Sequence, residues 1–120
     1  DIETNRARKS ISVEDTFIED IESIVECKTN ISQLYKKLTS RCQNLEIPLE
    51  LVKEIFIKIK FSNFESITRQ TKCNNLNLNQ YIKLFDSNKD VITKPIRLLG
   101  LGFTLKQDNK NVIQYDIFDR

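Results

Sequence analysis

The chain has 120 residues, 19 Lys and Arg against 17 Asp and Glu, and a formal net charge of +2 at pH 7. That length makes one small domain with a single hydrophobic core, and so balanced a charge does not demand a polyanion partner. Histidine, tryptophan and methionine are all absent, which removes the commonest general base and the commonest zinc ligand.

Cys27, Cys42 and Cys73 are widely spaced and form no C-x-x-C pair. They are expected to be small, buried or half-buried thiols of a reducing compartment rather than a zinc site or a disulfide framework. No apolar run approaches the ~20 residues that span a bilayer, and no signal peptide is visible, so the expectation is a soluble, cytoplasmic protein. A chain opening on Asp1 without a methionine is expected to be a piece of a longer one.

Residues 1–7 are charged and lack apolar periodicity, which reads as the end of a linker. Arg8 to Glu14 alternates, with Lys9, Ile11 and Val13 on one face and Arg8, Ser10, Ser12 and Glu14 on the other, as in a strand with one wet face. Phe17 to Glu26 is expected to hold a helical turn or two, with Thr29 or Asn30 capping a longer helix after it. Ile31, Leu34, Tyr35, Leu38, Cys42 and Leu45 then recur at helical spacing, and Pro48 ends the region.

Lys53 to Phe61 is the clearest strand, with Ile55, Ile57, Ile59 and Phe61 on one face and Phe56, Lys58 and Lys60 on the other. Asn63 marks a turn or bulge, and a polar-faced strand follows from about Glu65 to Cys73, with Ser66, Thr68, Gln70 and Lys72 on one side. An asparagine-rich loop leads to a short helix carrying Leu78, Tyr81, Ile82 and Phe85. Lys94 to Leu105 reads as a central strand whose core face is Leu99, Leu101, Phe103 and Leu105. Its other face holds Leu98, Thr104 and the chain's two glycines, Gly100 and Gly102. Glycine weakens a strand interior, so two on one face mark either a close approach to the backbone or a bulge.

The order is β-α-β-β-α-β, which predicts an α+β fold: one four-stranded sheet, two helices on one face, the other face open. The open face would collect Arg8, Ser10, Ser12, Lys58, Lys60, Thr68, Lys72, Gly100, Gly102 and Thr104, with Arg69 and Arg97 near strand ends. Hydroxyls, glycines and cations suit phosphate oxygens and suit base reading poorly. An ordinary solvated sheet face is the other reading of the same pattern.

Three stretches carry a family likeness. Arg8-Lys9-Ser10-Ile11-Ser12-Val13-Glu14, Phe61-Ser62-Asn63-Phe64-Glu65-Ser66-Ile67-Thr68-Arg69 and Lys94-Pro95-Ile96-Arg97-Leu98-Leu99-Gly100 resemble, in order and spacing, the opening strand, middle hairpin and last strand of the little finger domain of Y-family DNA polymerases, nearest the DNA polymerase IV branch. The resemblance implies a domain over 8–106 that lays its sheet on template–primer duplex and grips both backbones. By position it implies phosphate contacts at Arg8, Lys9, Ser10, Thr68, Arg69, Arg97 and Gly100. Some relatives hold an arginine where this chain has Leu98 or Gly102, so contacts there would come from backbone N–H groups or be lost.

Residues 107–120 form a polar spacer and an apolar end. Gln114-Tyr115-Asp116-Ile117-Phe118 resembles the bacterial sliding-clamp-binding motif Q-L-S/D-L-F, with Tyr115 and Ile117 departing from its leucines. A terminal strand pairing locally is the alternative. The resemblance implies a non-catalytic fragment of an error-prone translesion polymerase acting in DNA damage tolerance, with the sliding clamp and the catalytic core of the same polymerase as partners. No cofactor is expected in the fragment, and Mg2+ would belong to the catalytic domains of the parent. A stand-alone RNA-recognition-like domain shares the element order, but would show stacking aromatics on its middle strands, where only Phe56 and Phe64 could serve.

Overall fold

The computed structural model describes residues 10–73 and 75–106. Six elements occur in chain order: β1 (Ser10–Ile21), α1 (Ile24–Leu45), β2 (Val52–Phe61), β3 (Ser66–Lys72), α2 (Leu78–Ser87) and β4 (Ile96–Leu105). Single 3-10 turns stand at Leu49–Leu51 and Lys89–Val91. The strands make one antiparallel sheet in the order β1-β4-β2-β3, so the last strand of the chain is central. The expected α+β architecture is the observed one.

Period-two alternation decides the two faces. Ile11, Phe103 and Ile55 lie side by side on one rung, Val13, Leu101 and Ile57 on the next, and Leu99, Ile59 and Ile67 on a third. On these rungs α1 packs across β1 and β4 with Cys27, Ile31, Leu34, Leu38 and Cys42, and α2 covers β2 with Tyr81, Leu84 and Phe85. Leu34, Leu38, Ile55, Leu99, Leu101 and Phe103 are completely buried, each contributing about 1.5–3 kcal/mol from apolar area alone. Where the helices meet, the Tyr35 and Tyr81 rings sit 6.0 Å apart, and the buried Tyr81 hydroxyl donates to the Gly102 carbonyl at 2.7 Å.

Two local expectations are corrected. β1 does not stop at Glu14; it runs to Ile21, which pairs with Ile96, while Phe17–Asp20 bulge against the single residue Arg97 of β4. Thr16, Phe17 and Ile18 are β-branched or aromatic, and a partner strand outweighs the weak helical spacing seen in isolation. Nor do Thr29 or Asn30 cap α1. They are interior residues whose side chains donate back to the Val25 and Glu26 carbonyls at 3.0 and 2.9 Å. The cap is Ser23, whose hydroxyl accepts from the Glu26 N–H at 3.3 Å, in the S-x-x-E spacing of a capping box.

α1 ends before Pro48, at Leu45, because Glu46 turns left-handed (φ 55) and the Ile47 N–H reaches the Cys42 carbonyl at 3.1 Å. α2 begins at Asn77, whose side chain accepts from the Gln80 N–H at 3.0 Å. Replacing Ser23 or Asn77 by alanine removes one such acceptor, and each variant should lose about 1 kcal/mol in a urea unfolding experiment with an unchanged m-value.

Candidate nucleic-acid interface

Opposite the helices, the even-numbered side chains form four rungs. Running from β1 through β4 and β2 to β3, they are Ser10–Thr104–Glu54–Lys72, Ser12–Gly102–Phe56–Gln70, Glu14–Gly100–Lys58–Thr68 and Thr16–Leu98–Lys60–Ser66. The β1 and β3 members are exposed, as are the polar heads of the lysines in large part, since Lys58 keeps 44% of its side-chain surface. Nine of the residues expected on the open face are therefore brought together there: Ser10, Ser12, Lys58, Lys60, Thr68, Lys72, Gly100, Gly102 and Thr104.

Other expected residues are placed differently. Arg69 faces the helix side, across from Ile57, and its Nε donates to Asn88 Oδ1 at 3.2 Å while Nη1 donates to the Thr68 carbonyl. With Thr68 on the open face, period two puts its neighbour on the other. Arg97 is the extra residue of a bulge between Leu98, opposite Lys60, and Ile96, opposite Phe61. Its guanidinium lies over the Phe64 ring, 4.8 Å from the centroid. Arg8, Lys9 and the motif Gln114, Tyr115, Asp116, Ile117 and Phe118 lie outside the described residues.

The two glycines turn out to be unlike. A Cβ on Gly102 would stand 2.3 Å from Phe56 Cζ and 2.6 Å from the Ile11 carbonyl oxygen, so the close neighbour at that site is the chain's own ring. A Cβ on Gly100 would meet only Glu14 Cβ at 3.3 Å, the Val13 carbonyl oxygen at 3.4 Å and Lys58 Cβ at 3.5 Å. Because β4 lies between β1 and β2, its N–H groups point into the two ladders in the plane of the sheet. Both glycines are themselves buried, so they offer the open face no free backbone donors.

Two acids belong to the site: Glu14, which the alternation of β1 had already put on the wet face, and Glu54, which the strand patterns had not placed. Glu14 and Glu54 share the face with Lys58, Lys60 and Lys72, and Lys58 Nζ approaches Glu14 Oε2 at 4.0 Å across Gly100. Extending the Phe56, Lys58, Lys60 alternation back by one step reaches Glu54, so this signal was in the sequence. The Lys58–Glu14 pair is exposed and is worth no more than ~1 kcal/mol. Phe56 is half-buried over Gly102, which leaves no open aromatic platform on this face for stacking a single-stranded base.

Several ionisable groups away from this face are structural. Burial pushes the Cys27 thiol up to about 11, with Glu26 adding to it, and burial also raises Cys42. Such thiols are protonated and inert at neutral pH. Burial raises Tyr81 and Tyr35 as well, consistent with hydroxyls that donate, to Gly102 and to Leu76. Asp86 is held below the usual carboxylate range by its hydrogen bond with Lys28 and by the charges of Lys28 and Lys89. Among the described residues, no three His, Cys, Asp or Glu side chains cluster as a metal site would need, and no helix is long and apolar enough to cross a membrane.

The sheet has one helix-covered face and one polar face of hydroxyls and lysines, and the comparisons assign this architecture to a family. Residues 8–116 match the model of the impB/mucB/samB family C-terminal domain, and the chain belongs to that family. It is 29% identical over 119 residues, 98% of its length, to the DNA polymerase IV of Pseudoalteromonas translucida (strain TAC 125), and 34% identical over 116 residues, 96% of its length, to that of Protochlamydia amoebophila (strain UWE25). The chain spans about a third of these relatives, 34% and 32% of their lengths. Among solved structures, it superposes with a TM-score of 0.77 and 29% identity on a complex of the beta-clamp processivity factor and the little finger domain of PolIV, over 83% of this chain and 91% of that one. An insertion ternary complex of Dbh DNA polymerase shares the fold at a TM-score of 0.66 and 8% identity, over 88% of this chain and 30% of that one. The likeness to a Y-family little finger domain read from the strand motifs is thereby upheld.

Proposed function

We propose that the chain is the DNA-gripping, clamp-tethering part of a DNA polymerase IV-like translesion polymerase. In this reading residues 1–7 end the tether from the catalytic core, 8–106 form the gripping domain and 107–120 carry the clamp motif. The observation that carries it is the four-rung open face, where the exposed Ser10, Ser12 and Thr68 hydroxyls stand among Lys58, Lys60 and Lys72, while the Thr104 hydroxyl on the same face is buried. Hydroxyl donors and lysine charges meet phosphates without reading bases, so the grip is sequence-independent. That suits a polymerase that must hold whatever duplex it has just made. Nucleotidyl transfer, with its Mg2+, belongs to the rest of the polymerase, and the working compartment is the cytoplasm.

Glu14 and Glu54 bring the described face to three cations against two carboxylates, so the grip is weak, with micromolar or poorer Kd at physiological salt. The test is fluorescence anisotropy of a labelled template–primer duplex titrated with the chain at several salt concentrations. Log affinity should fall linearly with log salt, and the Lys58→Ala/Lys60→Ala variant should flatten that slope by about 2. Affinity that ignores both salt and the two lysines would overturn the reading.

A further inference from the structure

The β2–β3 hairpin tip is tied down more thoroughly than its exposure requires. The Phe61 N–H donates to the Glu65 carbonyl at 2.8 Å and the Phe64 N–H to the Phe61 carbonyl at 2.9 Å. Asn63 accepts from the Glu65 N–H at 3.1 Å and donates to Glu65 Oε1 at 2.7 Å. The Ser62 N–H donates to the Pro95 carbonyl at 2.9 Å, which ties the tip to the residue before β4. The result holds Phe64 in a left-handed backbone (φ 70), a conformation that disfavours an aromatic residue, while leaving the residue 64% exposed. Burial therefore does not explain why a bulky ring stands where glycine would be easier.

What the ring touches does. Arg97 is the bulge residue of β4, and bulges re-aim side chains. Its guanidinium lies over Phe64 and makes no ion pair or hydrogen bond with another described residue. The nearby Glu65 carboxylate is engaged by Lys94 at 3.9 Å and by Asn63, so it does not compete for Arg97. A guanidinium stacked on a ring keeps its five N–H donors in plane and free, which is the arrangement that takes a phosphate.

We infer that Phe64 is a positioning residue: its ring holds the Arg97 guanidinium open-handed at the start of the central strand for a backbone phosphate. The inference rests on the DNA-gripping reading above and assigns one contact within it.

The experiment is duplex anisotropy on the full chain and on Phe64→Gly, Phe64→Tyr, Arg97→Ala and the Phe64→Gly/Arg97→Ala double variant, each also melted thermally. Phe64→Gly relaxes the left-handed backbone, so its melting temperature should equal or exceed the parent's. Its affinity should nonetheless fall roughly two- to fivefold, the worth of an exposed cation–π contact. Phe64→Tyr should bind like the parent, and the double variant should bind no worse than Arg97→Ala. Undiminished binding by Phe64→Gly, with Arg97→Ala weakened, would overturn the positioning role and leave the DNA reading standing. An equal loss from Phe64→Gly in the Arg97→Ala background would overturn it too, by making the ring itself the contact. A parent chain that shows no salt-dependent affinity would overturn both readings together.

Discussion

Gly102→Ala should destabilise the domain by about 2–3 kcal/mol, lowering its melting temperature by roughly 10–20 °C. The added carbon would sit 2.3 Å from Phe56 Cζ, 2.8 Å from Phe56 Cε1 and 2.6 Å from the Ile11 carbonyl oxygen. The ring is half-exposed and can swing away, but the oxygen belongs to β1, whose register with β4 runs unbroken from Ser10 to Thr16. Moving it means moving a strand. The Phe56→Leu/Gly102→Ala double variant should therefore recover only part of the loss. Gly100→Ala is the control: its nearest contacts are 3.3 to 3.5 Å and its φ is not positive, so its stability should stay within about 0.5 kcal/mol of the parent. Equal losses at the two glycines, by urea or thermal unfolding, would mean that the crowding over Gly102 is not what limits that position.

Removing residues Gln114 to Phe118 should lower affinity for a bacterial sliding clamp at least ~100-fold in calorimetric titration, a loss of about 2.7 kcal/mol. Three side chains of this segment, Tyr115, Ile117 and Phe118, can enter an apolar pocket, and Gln114 can add a hydrogen bond. Burying even two of them accounts for a loss of that size. Aromatic anchors dominate such contacts, so Phe118→Ala should reproduce most of the effect. In the proposed reading, a clamp contact of modest strength coupled to a weak grip on duplex would raise the local concentration of polymerase at the primer end, which neither contact would achieve alone. An intact chain that fails to bind the clamp would remove the tail reading. Equal binding by the intact and truncated chains would move the contact onto the folded domain.

The features legible in the sequence are the local ones. Alternation within ten residues was enough for Ile55, Ile57 and Ile59 to face the core and for Lys58 and Lys60 to face away, because side-chain direction in a strand depends on parity alone. The same holds for Leu99, Leu101 and Phe103 against Gly100 and Gly102, and helical spacing likewise picked out Ile31, Leu34, Leu38 and Cys42. Element order and the open face came from these patterns. Parity also puts Arg69 opposite Thr68, against the expectation that placed both with the open face.

The rest depended on partners distant in the chain. β1 reaches Ile21 because Ile96, far later in the chain, is there to pair with it. Phe56 covers Gly102, and Arg97 finds Phe64, only once β4 has settled between β1 and β2 in one register. Register is a property of two strands together, fixed by how their faces pack, and no window on a single strand contains it. The composition of the open face was written along the chain; the particular neighbours of its glycines and of Arg97 arose when the sheet closed.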